Sequence, residues 1–410
     1  MYIYIDDIVT FILVGYFCTF AIWPIYARAL FVGLVIICEI YYMLKINPRY
    51  RWIRFNSLGT CITIYILYIV IHLLIMSNEV NEFFIGAYQY LFYCSFIIIS
   101  LFVSRNTNLS KFQKIVCFFG VIDVLLGIIE YNLQTPLFRN SENLGFLASG
   151  ESYFRVSSFF TAPMIYGDWA GIFLLSSIGL FNTTKNKLYI FLSMFFLYGV
   201  YISYSRGTWI ATICALIVYY SLYLKRGFRK RNTILFILVI VVCSGLYTIE
   251  NNNLIEKFFL SICDFDNNKS NVGRMAAWLY SIDIFTSNIQ NLLFGIGLSK
   301  TGAFSTATFV TESGVLKKLV EGGIVLASIY YMIIITLLCK LMKCIMKTSL
   351  VEYRNKFIYL LSVIVLILIH DITLQITEDC SISFMLWYAL AWIIINSDNK
   401  ACAKSSKYKI

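Results

Sequence analysis

Long apolar stretches separated by short polar connections recur along the whole chain. Each stretch has about 20 residues, enough to cross a hydrocarbon core of about 30 Å as an α-helix. The pattern of alternating segments of about 10 residues that β-barrel spans show is absent. We therefore predict an all-α integral membrane protein with twelve membrane-spanning helices. They lie near residues 8–23, 29–44, 58–77, 83–103, 112–130, 163–181, 188–204, 207–224, 232–249, 315–339, 357–374 and 380–396.

Basic residues are concentrated in every second connection. This set of connections holds 23 of the 33 Lys and Arg residues of the chain. Because cytoplasmic loops of membrane proteins carry an excess of Lys and Arg, the set is predicted to be cytoplasmic, with both termini inside. The remaining connections, including the segments near 131–162 and 250–314, are then extracytoplasmic.

The spans and loops predict four regions. Residues 1–249 form a nine-helix transmembrane region with an extracytoplasmic loop near 131–162, and residues 250–314 form a large extracytoplasmic loop. Residues 315–397 form a three-helix transmembrane region, and residues 398–410 form a basic cytoplasmic tail. The large loop is too long for a simple connector. Within it, Trp278, Ile282 and Phe285 recur at helical spacing, which predicts a short amphipathic helix at the membrane surface.

Composition excludes several classes of function. The chain is 60% hydrophobic, only 13% charged and has a net charge of +11, but its charges are scattered in short loops. They form no single basic face, so we expect no nucleic-acid partner. The twelve cysteines lie mostly within apolar stretches, no CxxC motif occurs, and there are only two histidines. We therefore expect no metal site, no redox site and no cofactor.

Three arginines stand on the predicted outer side, where the chain otherwise has few cations. They are Arg155 before the sixth span, Arg206 in the tight turn between two spans, and Arg274 at the start of the surface helix. A guanidinium group has a planar fork of donors that suits phosphate oxygens, so three of them would form a pocket for a lipid diphosphate. Alternatively, each extends toward lipid headgroups or pairs with a loop carboxylate. For Arg206, held in a tight turn, we favour the binding role.

Glu312 lies at the end of the large loop, directly before the next span. Its carboxylate either stabilises the start of that helix or acts as a base that activates a sugar hydroxyl. Glu321 follows Lys317 by four residues, so an ordinary ion pair along the helix is the expected explanation for it.

Four more ionisable residues fall within or beside apolar stretches, namely Asp123, Asp168, His72 and His370. Carboxylates inside a membrane indicate function by default, and a transporter would use them as proton or ion sites. The alternative is interhelical hydrogen bonding, which the position of Asp168 near the outer surface favours. Both histidines are expected to be hydrogen-bonded residues of the bundle.

Four local patterns in a fixed order carry a resemblance to a known family. They are Arg155-Val156-Ser157-Ser158-Phe159 with Ala162-Pro163, then Ser205-Arg206-Gly207, then Gly273-Arg274 with Trp278 and the run Asn291 to Leu298, and finally Glu312-Ser313-Gly314 through Glu321-Gly322-Gly323. Over roughly residues 150–335 they resemble the O-antigen ligase and polymerase superfamily. Its members are multi-spanning enzymes that handle polyprenyl-diphosphate-linked glycans.

This resemblance implies a metal-independent glycosyltransferase with about twelve helices, whose long extracytoplasmic loop covers the active site. Arg206 and Arg274 match the arginines that bind the diphosphate of the lipid-linked donor, and Arg155 matches a third basic position. Ligases of the family usually carry a His-Asn-like pair before the span that follows the long loop. Glu312 and Ser313 stand there instead, which favours a polymerase and makes Glu312 the candidate base.

The implied polymerase joins undecaprenyl-diphosphate-linked oligosaccharide repeat units of O-antigen or capsule on the outer face of the bacterial inner membrane. Its partners are the lipid-linked glycan, the bilayer and a chain-length regulator protein. Tyr204, Ser205 and Trp278 complete the predicted substrate-binding set, and both aromatic rings would either stack on sugar faces or anchor at the membrane interface. The alternatives are an O-antigen ligase and a flippase or transporter of lipid-linked oligosaccharide.

Overall fold

The computed structural model describes residues 5–19, 33, 37, 57–77, 79–106, 108–138, 154–160, 162–224, 269–302, 309–348 and 350–397, and within them the chain is helical without strands. The helices are α1 (Ile5–Cys18), α2 (Ser57–Met76), α3 (Val80–Gly86), a π-helical turn (Ala87–Phe92), α4 (Tyr93–Asn106), α5 (Leu109–Leu133), α6 (Pro163–Thr184), α7 (Leu188–Ile202), α8 (Arg206–Leu224), α9 (Lys269–Thr286), α10 (Ile289–Phe294), α11 (Gly314–Lys347), α12 (Val351–Thr373), a 3₁₀ turn (Ile376–Glu378) and α13 (Cys380–Ser397).

Ten of the twelve predicted spans fall on these helices, and the other two, 29–44 and 232–249, lie essentially outside the described residues. Six of the described helices are long and apolar enough to cross a membrane. The all-helical class is confirmed, and these helices give the chain the character of a multi-pass membrane protein. The prediction for 83–103 missed an interruption, because a π-helical turn at Ala87–Phe92 separates α3 from α4.

Helix α6 is the centre of the bundle. Among the six long apolar helices it is the most enclosed, with 89% of its most apolar stretch buried. It packs against α5, α7, α8 and α12. Gly167 and Gly171 form a row of small residues facing α8, and a methyl group on either would lie 2.8 Å from a side-chain atom of Thr208 or Thr212. Small residues let helices approach closely in membranes, and here the threonine side chains of α8 pack directly on the α6 backbone.

Helix α11 is broken near its start. Gly323 has φ = +67° and interrupts the helical backbone. The freed carbonyls of Val320 and Glu321 accept hydrogen bonds from the backbone N–H groups of Ile296 (2.9 Å) and Gly297 (3.1 Å). The segment after α10 therefore docks on the break in α11, which fixes part of the large loop on the bundle.

The helix that the spacing of Trp278, Ile282 and Phe285 predicts in the large loop is present as α9. Its exposed apolar residues Val272, Met275, Leu279 and Ile282 recur at helical spacing along one face. Trp278 lies beside this row, and its Nε1 donates a hydrogen bond to the backbone carbonyl of Glu312 in the segment before α11. The contact of the exposed face with a membrane surface stays a prediction.

Candidate functional site

Glu312 lies between α9 and the start of α11. Its Oε2 is 3.8 Å from Nε of Arg274, and its backbone carbonyl accepts a hydrogen bond from Trp278 Nε1 at 3.2 Å. The neighbouring Ser313 caps α11, with its hydroxyl accepting from Leu316 N–H. Glu312 itself has φ = +52°, a left-handed conformation that costs about 1–2 kcal/mol for a non-glycine residue. Since Ser313 makes the cap, the Glu312 carboxylate is turned instead toward Arg274.

Arg206 begins α8, and the residues around it are tightly held. Ser205, predicted to bind substrate, is buried and accepts from Thr208 N–H at 3.5 Å, while the two hydroxyls lie 3.0 Å apart. Tyr204 stacks beside Tyr131, with 3.2 Å between their hydroxyl oxygens. Ser205 and Tyr204 thus both have structural contacts that shape the turn carrying Arg206.

The backbone beside Arg155 is anchored by a buried carboxylate that the sequence did not single out. Glu130, near the end of α5, accepts hydrogen bonds from the backbone N–H groups of Ser157 (3.2 Å) and Ser158 (2.8 Å). Asp123, about two turns earlier on α5, accepts from Phe159 N–H at 3.5 Å. These contacts favour the hydrogen-bonding interpretation of Asp123 and hold the segment 154–160 against the bundle.

Asp168 and His370 form a direct buried pair. His370 Nδ1 lies 2.7 Å and 2.8 Å from the two carboxylate oxygens of Asp168, although the residues are 202 positions apart in the chain. The other ring nitrogen, Nε2, packs against the first turn of α8: a methyl group on Gly207 would lie 2.6 Å from it. The prediction that both residues are hydrogen-bonded within the bundle is confirmed, but their pairing beside Arg206 was not foreseen.

Asp371, the next residue on α12, connects this pair to the start of α11. A methyl group on Gly314 would lie 2.1 Å from Asp371 Oδ1, and Lys318 Nζ donates to Asp371 Oδ2 at 3.1 Å. The end of α12 therefore touches the Arg206 turn through His370 and the Glu312 segment through Asp371. We call the end of the bundle where these residues meet the site end.

A second charged cluster lies behind the first turns of α11. The predicted pair of Lys317 with Glu321 is confirmed, at 3.4 Å between Nζ and Oε1. Glu321 also accepts from Tyr90 Oη at 2.6 Å and from the backbone N–H of Thr301 at 2.7 Å, so it joins three elements rather than one helix. Lys317 additionally forms an ion pair with Glu378.

Glu378 lies in the short turn between α12 and α13. Burial raises the pKa of its carboxyl to about 7, against the lowering effect of Lys317, and Glu321 raises it further. The carboxyl lines a small pocket together with Gln89, Tyr65, Tyr330 and Trp387. Because its charge is costly to bury, this group responds to pH in the neutral range.

The structure brings three predicted site residues into contact, namely Arg274, Trp278 and Glu312. Arg206 and Arg155 are not part of this set of contacts. Arg206 precedes Gly207, which contacts His370, and the adjacent Asp371 contacts Gly314 at the start of α11. Arg155 lies on a segment whose Val156 N–H donates to the Ile202 carbonyl at 3.5 Å. Within the described part of the chain, no group of three or more His, Cys, Asp or Glu side chains is arranged to hold a metal ion.

Apolar spanning helices and a polar site gathered at one end of the bundle define the class as a multi-pass membrane protein with a one-sided site. Residues 191–331 match the family model described as O-antigen ligase. The match confirms the predicted resemblance to the O-antigen ligase and polymerase superfamily, whose members are glycosyltransferase-like and act on lipid-linked sugars. It spans α7 to the middle of α11, and so includes Arg206, Arg274 and Glu312. No curated protein matches the chain.

Proposed function

We propose that the chain is a polysaccharide polymerase that joins undecaprenyl-diphosphate-linked oligosaccharide repeat units of O-antigen or capsule. The observation that carries this proposal is the meeting of Arg274 and Glu312, 3.8 Å apart, at the end of the bundle where α8 begins with Arg206. An acid and two cations so placed suit a reaction that moves a proton and releases a diphosphate. The reaction takes place on the outer face of the bacterial inner membrane, in a twelve-span protein with both termini in the cytoplasm.

In the proposed reaction, a hydroxyl oxygen of the acceptor sugar attacks the anomeric carbon of the donor glycan. The bond between that carbon and the diphosphate oxygen breaks, and undecaprenyl diphosphate leaves with the electron pair. Arg206 and Arg274 stabilise the charge that develops on its oxygens, as preorganised donors do for other oxyanions. Glu312 accepts the hydroxyl proton, which requires it to lie within about 3 Å of the attacking oxygen.

The pairing of Arg274 with Glu312 gives this mechanism an order of events. With no donor bound, the two side chains neutralise one another at the mouth of the site, where each is about one-third exposed. The donor diphosphate offers Arg274 two negatively charged groups and competes with the carboxylate for it. Donor binding then frees Glu312 to accept a proton from the acceptor, so the base is released only when the donor is in place.

A polymerase is proposed over a ligase because of the residues before α11. Glu312 and Ser313 occupy the place where ligases of the family usually carry a His-Asn-like pair. The family match itself is compatible with both activities. They differ in the acceptor: a polymerase extends a lipid-linked repeat unit, whereas a ligase transfers the glycan to a different acceptor.

The test is an assay of the purified protein with undecaprenyl-diphosphate-linked repeat units. We expect a ladder of longer lipid-linked glycans. In Arg206→Ala and in Arg274→Ala the rate of extension should fall about 100-fold or more, since removing one preorganised donor typically costs that much. Glu312→Gln should lower the rate by about 100-fold or more through loss of the base. Asp283→Asn, an exposed carboxylate on the same helix as Arg274, serves as the matched control and should retain full activity.

Three results would contradict the proposal. A normal ladder in the arginine variants would show that the diphosphate binds elsewhere. Transfer of glycan only to an acceptor other than the lipid-linked repeat unit would identify a ligase. Movement of intact substrate across a liposome bilayer without extension would identify a transporter.

A further inference from the structure

We propose that Asp168 and His370 are positioning residues for Arg206. Their buried pair packs against Gly207 and thereby fixes the backbone position from which Arg206 binds a lipid diphosphate. The inference rests on the proposed function for one point, the assignment of Arg206 to the diphosphate.

The imidazole ring of His370 contacts Asp168 with one edge and Gly207 with the opposite edge. Both carboxylate oxygens of Asp168 lie within 2.8 Å of His370 Nδ1, and both side chains are almost completely buried. A carboxylate in this relation to a histidine fixes the orientation of the ring. The opposite edge, Nε2 and Cδ2, packs against Gly207, where an added methyl group would lie 2.6 Å and 2.7 Å from these two atoms.

This contact leaves the first turn of α8 no room to move toward α12. Cβ atoms essentially never lie within 3.0 Å of such neighbours, so glycine is the residue that allows this approach. Arg206 is the adjacent residue and the first of α8. A displacement of the ring would therefore displace the backbone that carries the guanidinium group.

The same turn is also held from the α6 side. Thr208 Oγ1 donates to the Met164 carbonyl at 3.2 Å, and Gly167 lets Thr208 and Ser203 approach α6 closely. Asp168 is the next residue along α6. The first turn of α8 thus rests on two elements, α6 directly and α12 through His370, and the hydrogen-bonded pair sets the distance between those two supports.

A purely structural role, holding α6 to α12, is already served elsewhere. Ser176 and Tyr359 form a buried hydrogen bond of 3.0 Å between the same two helices, farther from the site end. Tyr359→Phe removes that bond and is the matched control for a general loss of helix contact. His370→Gln and Asp168→Asn remove the imidazole–carboxylate contact while keeping side chains of similar size.

The experiment is a double-mutant cycle that measures binding of undecaprenyl diphosphate to the purified full-length protein in detergent. We expect His370→Gln and Asp168→Asn to raise Kd about tenfold, within the range of coupling between contacting residues. In an Arg206→Ala background the same substitutions should change Kd little further, because their effect passes through Arg206. Tyr359→Phe should leave Kd unchanged in both backgrounds, with thermal unfolding recorded for every variant.

Equal effects of His370→Gln with and without Arg206 would overturn the proposal. If His370→Gln fails to fold, Gly207→Ala is the second test, because its methyl group would clash with the His370 ring from the α8 side. An unchanged Kd in Gly207→Ala would also overturn the proposal. A Kd that Gly207→Ala raises in the unsubstituted protein but not in the Arg206→Ala background would support it. Failure of the proposed function is seen separately, as lipid diphosphate binding that depends on Arg206 without glycan extension. Binding that is independent of Arg206 would overturn both.

Discussion

Buried carboxylates at the site end each have a specific set of partners. Glu130 accepts from backbone N–H groups, Asp168 faces His370, and Asp371 faces Lys318. Removing a charge from water costs several kcal/mol unless opposite charges or hydrogen-bond donors replace the water. These partners explain why the carboxylates can lie inside a bundle whose other walls are apolar, and why replacing one partner should disturb more than the pair itself.

Glu378 makes the stability of the protein depend on pH. Its pKa is raised by burial from 4.5 to about 7, so between these values the folded state holds more protons than the unfolded state. Stability must then fall as pH rises through this interval, because unfolding releases the proton. We expect the thermal unfolding temperature in detergent to fall by several degrees from pH 5 to pH 8, and Glu378→Gln to reduce that fall.

The comparison with Glu378→Gln separates this carboxyl from all other titrating groups. Asp283→Asn serves as the control, because Asp283 is exposed and lies on α9, outside the Glu378 cluster. The interpretation is wrong if Glu378→Gln and the unsubstituted protein show the same slope of unfolding temperature against pH.

At the scale of the helices, the break in α11 decides how the large loop is attached. A continuous helix would use the carbonyls of Val320 and Glu321 internally, and the segment after α10 would lose the acceptors for Ile296 and Gly297. The break needs a residue that tolerates positive φ and leaves room for a neighbouring backbone, which is what glycine offers at position 323. The Glu321-Gly322-Gly323 pattern is thus the sequence signature of a docking point.

Gly323→Ala should lower stability. The left-handed conformation costs about 1–2 kcal/mol for alanine, and the new methyl group would lie 2.2 Å from the Leu293 carbonyl oxygen. We expect a fall of several degrees in unfolding temperature and faster proteolysis between α9 and α11. Gly273→Ala is the control: its methyl group meets nothing within 4 Å, and alanine is the better residue inside a helix. Equal stability of the two variants would contradict this account of the break.

At the scale of the whole molecule, spanning helices place the polar site at one end of an apolar bundle. In a bilayer every helix must satisfy its own backbone hydrogen bonds, so the spans are visible in the sequence as separate apolar stretches. The distribution of basic residues predicts the orientation of the bundle, with the site end, which carries the large loop, on the outside. The proposed polymerase reaction requires this orientation.

Reporter fusions test that orientation. A green fluorescent protein fused after Ile410 should fluoresce, because both termini are predicted to be cytoplasmic, and alkaline phosphatase at the same place should be inactive. Alkaline phosphatase inserted within residues 250–268 should be active. An active phosphatase at the C-terminus would reverse the topology and place the site end in the cytoplasm.

The sequence by itself determined the features that depend on local pattern. Most described helices begin or end within a few residues of the predicted spans, since hydropathy along a single helix decides where it can cross a membrane. The helical state of α9 and the Lys317–Glu321 pair were likewise predictable, because residues three or four apart on a helix are neighbours wherever the helix lies. Arg274 and Glu312 were each recognisable, but the sequence did not pair them.

Only the tertiary structure decided which distant residues meet. Asp168 and His370, the Glu130 carboxylate with the segment that carries Arg155, and the extra partners of Glu321 come from different helices. Their contacts depend on how α5, α6, α11 and α12 pack, which is set by glycine approaches such as those at Gly167, Gly207 and Gly314. Such approaches depend on three-dimensional complementarity between helix faces, and no periodicity along one helix encodes the partner that it meets.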